Sequence, residues 1–525
     1  MSKRPNRQRQ QDQRSPRRDQ PSAKSGVSRS PRWEPRGSAF TSVPSDGQQN
    51  SEPNSLQTAL ILSSSLLIDR MLLHTDFLDS LAEQGIAVDV WASSAQNAAY
   101  RNQWTHKPAT VRPLPAVKAF RQLIHNYPRR LNEAVWDRRQ HEPSRLSMMR
   151  HRPVKRGNKP AWLIDRLARG LALLSVERPL DDMLERWLLR YERSAEATYR
   201  LRHTRPRVVV TTGPFQFEQP AIAAAALRLG IKTLALVPSW DNISTKRRMI
   251  FKYDGYIVWS ERLKAELHER YPHTRDRPVY VVGAPQFDVF FQQRFRQTRE
   301  VFCASQGLDP RIPIVVYAVG SPNFLSCEPY GALELAKGVE RGDLGDIQLL
   351  VRPHPLHDHD KLGELFRGCD HRIHLQRTAV EGTPVSLRSQ DEAQIVEWVN
   401  TFQHAAVVVN LSSTVTVDAA ICDRPVVNLD FDPSPGRADQ QLIKEINHHW
   451  THFKPIAESD GLWLVNDVNE MIYAVRRYLA HPELHREGRQ WITRYVCEYP
   501  DGACGRRLGA AIGDFLAQIS ESGQS

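Results

Sequence analysis

The chain has 525 residues, 40% hydrophobic and 25% charged, a composition of soluble globular proteins, with room for two α/β domains of about 150 residues each plus tails. No apolar run approaches the roughly 20 residues of a spanning helix. The opening Met1-Ser-Lys-Arg-Pro-Asn-Arg7 lacks the apolar core of a signal peptide, so a cytoplasmic protein is expected. Cysteines 303, 327, 369, 422, 497 and 504 form no C-x-x-C pair, which excludes a disulfide framework or a zinc pattern and leaves packed free thiols.

Residues 1–55 are rich in Arg, Gln, Ser and Pro and poor in apolar side chains, and are expected to be a disordered basic tail. Residues 1–54 hold 11 Lys/Arg against 5 Asp/Glu, half of the net charge of +12. A second basic zone runs from Arg129 through Lys159. Such stretches can serve nucleic acid, an anionic membrane surface or lipid-phosphate acceptor, or simple solvation. No aromatic-interleaved RNA signature or DNA-reading helix accompanies them, so nucleic acid is not the expected partner. The tail instead suggests a protein peripheral to the inner face of the membrane.

A first domain is expected over 56–290. Thr58–Leu62 is a short apolar strand, a helical pattern follows from Leu67 to Gln84 and is closed by Gly85, and Ile86–Trp91 is a second strand. Asp69, Arg70 and His74 lie near the first turn of that helix, where cleft and surface positions are both open. This β–α–β start predicts a parallel sheet. About 100–205 is a helical, Arg-rich insertion, with Trp136, Trp162, Trp187 and Tyr191 spaced as packing anchors. Alternation resumes with strands at 207–213, 232–237, 255–259 and 279–283 and a helix from Glu218 to Leu229. The turn Gly283-Ala-Pro-Gln-Phe-Asp288 then gives a tight bend into the interdomain linker. A second domain, 291–490, starts with the strands Pro313–Val319 and Ile347–Val351. Within it comes a strand at Ala405–Val409, a hydroxyl-rich turn at Asn410–Thr414, a helix at Val415–Ile421 and a strand at Val426–Leu429. A C-terminal helical segment, 491–525, ends the chain.

In open α/β sheets ligands sit beyond the carboxyl ends of the strands. Four polar clusters occupy such positions: Thr211–Gly213, Ser239–Lys246, Arg352–His354 and Asn410–Thr414. The Ser412-Ser413-Thr414 turn feeds a helix, whose free N-terminal amides favour an anion such as a nucleotide diphosphate. Standing alone, it would equally be an ordinary Ser/Thr N-cap. Asp418, one turn further on, can accept hydrogen bonds from sugar or ribose hydroxyls. In Arg352-Pro-His-Pro355 the prolines fix the backbone so that Arg352 and His354 project from the strand end, an arginine fork for phosphate and a histidine donor or proton carrier; hydrogen bonding to loop carbonyls is the plainer alternative. In Ser239-Trp-Asp-Asn-Ile-Ser-Thr-Lys246, Asp241 is the candidate general base on an acceptor hydroxyl, with Trp240, Asn242, Lys246, Thr212 and Gly213 as acceptor or cleft residues. The other reading of that loop is an Asp/Asn turn with Trp240 buried. The chain lacks a P-loop, a G-x-G-x-x-G fingerprint and a G-x-S-x-G elbow, which argues against an NTPase, a dehydrogenase or a hydrolase.

With Ser239-Trp-Asp-Asn242, Val282-Gly-Ala-Pro-Gln-Phe-Asp288, Arg352-Pro-His-Pro355, Ser412-Ser-Thr414 with Asp418, and Asp501-Gly-Ala-Cys-Gly-Arg-Arg507, the chain resembles the two-domain glycosyltransferase-B (GT-B) superfamily. Within it, the likeness is to the CDP-glycerol glycerophosphotransferase and surface-carbohydrate transferase group and to the non-hydrolysing UDP-N-acetylglucosamine 2-epimerases. It covers about 205–510 and more weakly 56–95. It implies two Rossmann-like domains facing a cleft, with the N-terminal domain holding the acceptor. The C-terminal domain would hold a nucleotide-activated sugar or a CDP-glycerol-like donor through Arg352, His354, Ser412, Ser413, Thr414 and Asp418. His354 would hold the donor phosphate and share catalysis with Asp241. The implied acceptor is a surface polysaccharide or a lipid-linked glycan, with no cofactor and no metal. In the epimerase-like pattern a Ser-Gly-Gly turn is followed by a Glu six residues after its Ser. Here Asp418 stands six after Ser412, but Ser413 and Thr414 replace the glycines, which counts against an epimerase without removing it. A non-catalytic binding protein is the remaining alternative.

Overall fold

The computed structural model describes residues 58–115, 119–153, 158–174, 177–191, 193–215, 219–354, 356–377 and 390–521. The basic tail, part of the second basic zone (154–157) and Pro355 lie outside them. Two parallel sheets organise the chain. The first contains β1 (Thr58–Ser63), β2 (Ala87–Ala92), β3 (Thr110–Pro113), β4 (Val208–Thr211), β5 (Lys232–Leu236), β6 (Gly255–Val258) and β7 (Val279–Val281), in the order β3-β2-β1-β4-β5-β6-β7. The second contains β8 (Ile314–Ala318), β9 (Gln348–Arg352), β10 (Ile373–Leu375), β11 (Val407–Asn410), β12 (Val426–Leu429) and β13 (Trp463–Val465), in the order β10-β9-β8-β11-β12-β13. Each order reverses once, at β1/β4 and at β8/β11, the Rossmann-like switch beyond which a ligand crevice opens. The central strands are buried throughout, because helices cover both faces of a parallel sheet. That is why they stand out as apolar runs in the sequence.

Three expectations change. The helix foreseen over Leu67–Gln84 is two helices, Leu66–His74 and Phe77–Glu83. Thr75 between them is extended; its hydroxyl donates to Met71 O (2.6 Å) and accepts from Phe77 N (3.3 Å). A threonine side chain that bonds nearby backbone in this way competes with the helical ladder. The region 100–205 is helical as expected but also contributes the edge strand β3, whose Pro113 suits an edge. Of its expected packing anchors, Trp136 stacks on Tyr271 (5.0 Å between centroids), whereas Trp162 and Tyr191 are exposed.

After β7 the chain bends at Gly283 (φ 82°), a left-handed position where a side chain would be strained and a Cβ would lie 2.5 Å from Cys504 Sγ. Asp288, in the following turn, accepts from Cys504 N (3.2 Å) and Gly505 N (2.7 Å), capping the helix Cys504–Glu521. That helix recrosses to the first sheet. Gly505 and Gly509 let it lie directly on Thr75 and Ser80 of the Phe77–Glu83 region, and Phe515 covers Gly255 of β6. Helix Arg486–Cys497 instead packs on Val415–Ile421 of the second sheet's layer. The two halves of the expected C-terminal segment thus serve different sheets.

Candidate functional site

A cavity of about 740 Å³ lies where the carboxyl edges of the two sheets meet. Its floor comes from the second sheet. Asn410, the fully buried last residue of β11, organises the turn after it. Its Oδ1 accepts from Ser413 N (3.1 Å), Ser413 Oγ (3.3 Å) and Thr416 Oγ1 (3.3 Å). Ser412 takes a left-handed conformation (φ 47°) and donates to Asn447 Oδ1 (2.5 Å). Ser413 Oγ accepts from Val415 N (3.2 Å). The expectation of a crown of free amides is therefore corrected: two of them are used by local side chains, and helix Val415–Ile421 has only seven residues. The turn presents mainly hydroxyls, with Thr414 exposed toward the cavity it lines.

Asp418 lies at the base of the cavity, 5% exposed. Its Oδ2 accepts from Trp398 Nε1 (3.2 Å), while its buried Oδ1 has no partner among the described residues. Burial pushes its carboxyl up to about 7, against the opposing pull of Arg70, the Trp398 bond and Arg352. Arg70 comes from the first domain and reaches across the cleft. Its guanidinium carbon lies 3.7 Å from the centroid of the Trp398 ring, and Nε and Nη2 donate to Gln390 Oε1 (2.9 and 2.6 Å). Burial lowers its pKa to about 10, which leaves it charged at neutral pH. Its neighbours on the helix do other work. Asp69 accepts from Ser63, Ser94 and Tyr100 (2.7, 3.1 and 2.8 Å), and His74 Nε2 meets Gln390 O at 2.9 Å.

Arg352 ends β9 and lines the cavity beside His354, with its Nη1 turned to Gln376 Oε1 (2.7 Å) and Glu397 Oε1 (3.4 Å). His354 Nδ1 accepts from Leu356 N (3.1 Å), which fixes the tautomer carrying hydrogen on Nε2. Burial, with His357 and Arg352 nearby, lowers its pKa to about 4. His354 is thus a neutral single donor at pH 7.

The first domain contributes the loop after β5. Asp241 accepts from Ser239 Oγ (2.5 Å) and Asn242 Nδ2 (3.1 Å) on one oxygen and from Thr245 Oγ1 (2.7 Å) on the other. Burial works to raise its pKa, but nearby positive charge, including Lys246, and these hydroxyl donors hold it below the usual value. Asp241 is an ionised and weakly basic carboxylate. Trp240 lines the wall with its ring edge toward His452 (5.1 Å between centroids), whose pKa burial lowers to about 4. Lys246 lines the same wall. Asn242 lies behind Asp241, outside the lining. Thr212 and Gly213 also stay outside it: Thr212 Oγ1 donates to Leu62 O (2.6 Å) and Gly213 N to Gln219 Oε1 (3.1 Å). Thr212 is thus tied to β1 and Gly213 to Gln219, and these three do not form cleft wall.

Besides Gln390, Trp398 and His452, two further contributors were not foreseen. Glu328, at the start of helix Glu328–Glu340, accepts from Gly320 N (2.6 Å) and is pushed up to about 8 by burial. An acidic residue just before Pro329 looks like an ordinary helix start, so the sequence gives no other signal. The insertion helix Pro143–His151 closes one side with Ser144, Arg145 and Met148. It is tied to the second domain by Ser147 Oγ (2.5 Å), Arg150 Nη2 (2.9 Å) and His151 Nε2 (3.3 Å), all on Glu445. Among the described residues one group has metal-ligand spacing, Cys327, Asp432 and Asp439, within 4.8 Å. Asp432 already accepts from Ser434 N, Ser434 Oγ and Asp439 N (2.8, 2.5 and 2.8 Å), so the group is a loop clasp.

No protein-family model matches the chain, and no curated protein matches it. Solved structures do. The S. aureus MnaA–UDP co-structure superposes with a TM-score of 0.50 at 10% identity, covering 88% of this chain and 98% of that one. A Listeria monocytogenes protein assigned as UDP-N-acetylglucosamine 2-epimerase gives 0.50 at 12% identity, over 88% and 97%. A glycosyltransferase from Rickettsia africae gives 0.48 at 10%, over 88% and 99%. At these identities the likeness is one of fold: the chain has the two-domain GT-B fold.

Proposed function

We propose that the protein is a transferase that binds a nucleotide-activated sugar or glycerol-phosphate in this cavity and moves that group to a hydroxyl of a surface-polysaccharide or lipid-linked acceptor. The observation that carries the reading is Asp418. A buried carboxyl oxygen without a donor costs free energy until a partner arrives, and a ribose or sugar hydroxyl supplies one. Arg70 and Arg352 beside it give the positive potential that a diphosphate needs, and the Thr414 hydroxyl with His354 Nε2–H would give it donors. The S. aureus structure of this fold was solved with UDP, which supports a nucleotide as the ligand class.

In the transfer, the acceptor oxygen bonds to the sugar carbon or to phosphorus as the bond to the nucleotide's phosphate oxygen breaks. The acceptor proton passes to a base, for which Asp241 is the ionised carboxylate on the acceptor side. No metal is assigned: Arg352, Arg70 and His354 line the cavity and would offset the charge of the departing phosphate. A second reading is nucleotide-sugar 2-epimerisation, favoured by the likeness to the Listeria protein. The test is a thermal-shift screen of CDP-, CMP-, UDP- and GDP-linked compounds, followed by product analysis with and without acceptor. A ligand at a hundred times its Kd adds about 2.7 kcal/mol of stability. No shift with any compound refutes the donor site. Release of a free epimerised sugar without acceptor selects the second reading, and binding without turnover makes the protein a binding module.

A further inference from the structure

Helix Lys159–Leu171 joins the molecule through one side. Asp165 pairs with Arg138 (2.5 Å), Ala168 is buried, and Ala172 O just beyond the helix accepts from Arg139 (3.2 Å). Trp162, Leu163 and Leu167 are 36%, 53% and 48% exposed, and Leu173 and Leu174 in the turn that follows are 85% and 55% exposed. Positions 162, 163, 167, 173 and 174 recur at helical spacing, so they extend as one apolar stripe into the turn. Lys159, Arg166 and Arg169 are exposed alongside it. The Arg166 guanidinium carbon lies 5.0 Å from the centroid of the Trp162 ring. The helix's one carboxylate, Asp165, is turned inward to Arg138 and also bridges Arg169 (3.0 Å). The stripe therefore carries apolar side chains and net positive charge, with no acidic residue of its own facing outward.

Monomeric proteins rarely leave such a patch without use. A second copy packed face to face would bring Lys159 and Arg166 against their equivalents, like charge on like. An anionic bilayer satisfies both properties: leucines and a tryptophan enter the headgroup boundary while the cations meet lipid phosphates. We infer that the Lys159–Leu174 face docks the protein on an anionic lipid surface. The same insertion supplies Ser144, Arg145 and Met148 to the cavity, so docking would hold the cavity wall next to an acceptor carried by the membrane. The inference goes beyond the proposed reaction and stands without it.

The test uses the full chain and co-sedimentation with phosphatidylcholine vesicles, with and without phosphatidylglycerol. Wild type is expected to pellet with the phosphatidylglycerol vesicles. The variants L163S/L167S/L173S/L174S and K159E/R166E are each expected to bind them at least about tenfold more weakly, with unchanged melting temperatures because the side chains are exposed. Wild-type affinity in either variant overturns the inference and moves the contact to another part of the chain, such as the basic residues 1–54. Failure of wild type to pellet overturns it too, as does a dimer in sedimentation that the leucine variant dissolves without any vesicle binding. The nucleotide-induced thermal shift should survive in both variants, so loss of docking is distinguishable from loss of the donor site.

Discussion

Asp418→Asn should make the ligand-free protein more stable at alkaline pH while weakening its hold on nucleotide. In the folded state the carboxyl titrates near 7, against 3.8 ordinarily. Below about pH 3.8 both folded and unfolded chains hold the proton, and the group imposes no penalty. Between there and 7 the folded state retains a proton that the unfolded chain gives up, so this group's contribution falls as pH rises. Above 7 the loss is complete, at about 4 kcal/mol from about 1.4 kcal/mol per pH unit. Asparagine removes that term. Its Oδ1 can keep the Trp398 bond, which leaves an amide N–H₂ without a partner, at about 1 to 2 kcal/mol. The variant should thus be less stable than wild type by about 1 to 2 kcal/mol near pH 4 and more stable by about 2 to 3 kcal/mol near pH 8, with the two curves crossing. Urea unfolding followed by tryptophan fluorescence across this range measures the difference directly. At pH 8 the nucleotide-induced shift should shrink as Kd rises by about tenfold to a hundredfold. Parallel pH–stability curves would refute the buried-carboxyl argument, and an unchanged nucleotide Kd would refute the assignment of Asp418 to a ligand hydroxyl.

Other consequences follow from single contacts. His354→Ala removes one neutral donor to the phosphate and should raise donor Kd by about tenfold to a hundredfold; because the ring titrates near 4, the pH dependence of affinity between about pH 6 and 8 should be the same in this variant as in wild type, which calorimetry can check. Glu445→Ala takes away the shared partner of Ser147, Arg150 and His151 and should speed hydrogen exchange across Pro143–His151 while leaving the core strands protected. Asp288→Ala uncaps helix Cys504–Glu521 at Cys504 N and Gly505 N and should cost about 1 to 2 kcal/mol in urea unfolding. Gly509→Leu places a side chain where even a Cβ would lie 2.6 Å from Ser80 Oγ; it should cost about 1 to 3 kcal/mol by overpacking, read as a lower melting temperature.

The sequence revealed the parts of this fold that are buried on both sides. β11 and β12 and the helix between them are visible because Val407–Val409 and, apart from Asn428, Val426–Leu429 are apolar and buried. β3, β10 and β13 are short and only partly buried, so their composition says little. The strand-end rule located Asn410–Thr414, Arg352–His354 and Ser239–Lys246, yet at β4 it pointed to Thr212 and Gly213, whose polar groups face inward. Nothing local to that strand announces that Gln219 Oε1 accepts from both Thr211 Oγ1 (2.5 Å) and Gly213 N (3.1 Å). The site depends further on pairs far apart in sequence, Arg70 with Trp398 and Ser147 with Glu445, which no single-sequence pattern joins.

Asp241 and Asp418 show what such pairing decides. Both carboxylates follow a strand, Asp241 half-buried and Asp418 buried, and by type and position they are interchangeable. Asp241 receives three donors and stays ionised; Asp418 receives one, keeps an oxygen without a partner, and titrates near neutrality. Nearby positive charge and hydroxyl donors offset burial at Asp241, whereas at Asp418 burial prevails. It follows that Asp241 suits a fixed negative charge on the acceptor side and is a poor proton acceptor until Ser239 or Thr245 lets go. Asp418 is the carboxyl whose protonation a bound hydroxyl would change, so donor binding at this site should release protons near pH 7.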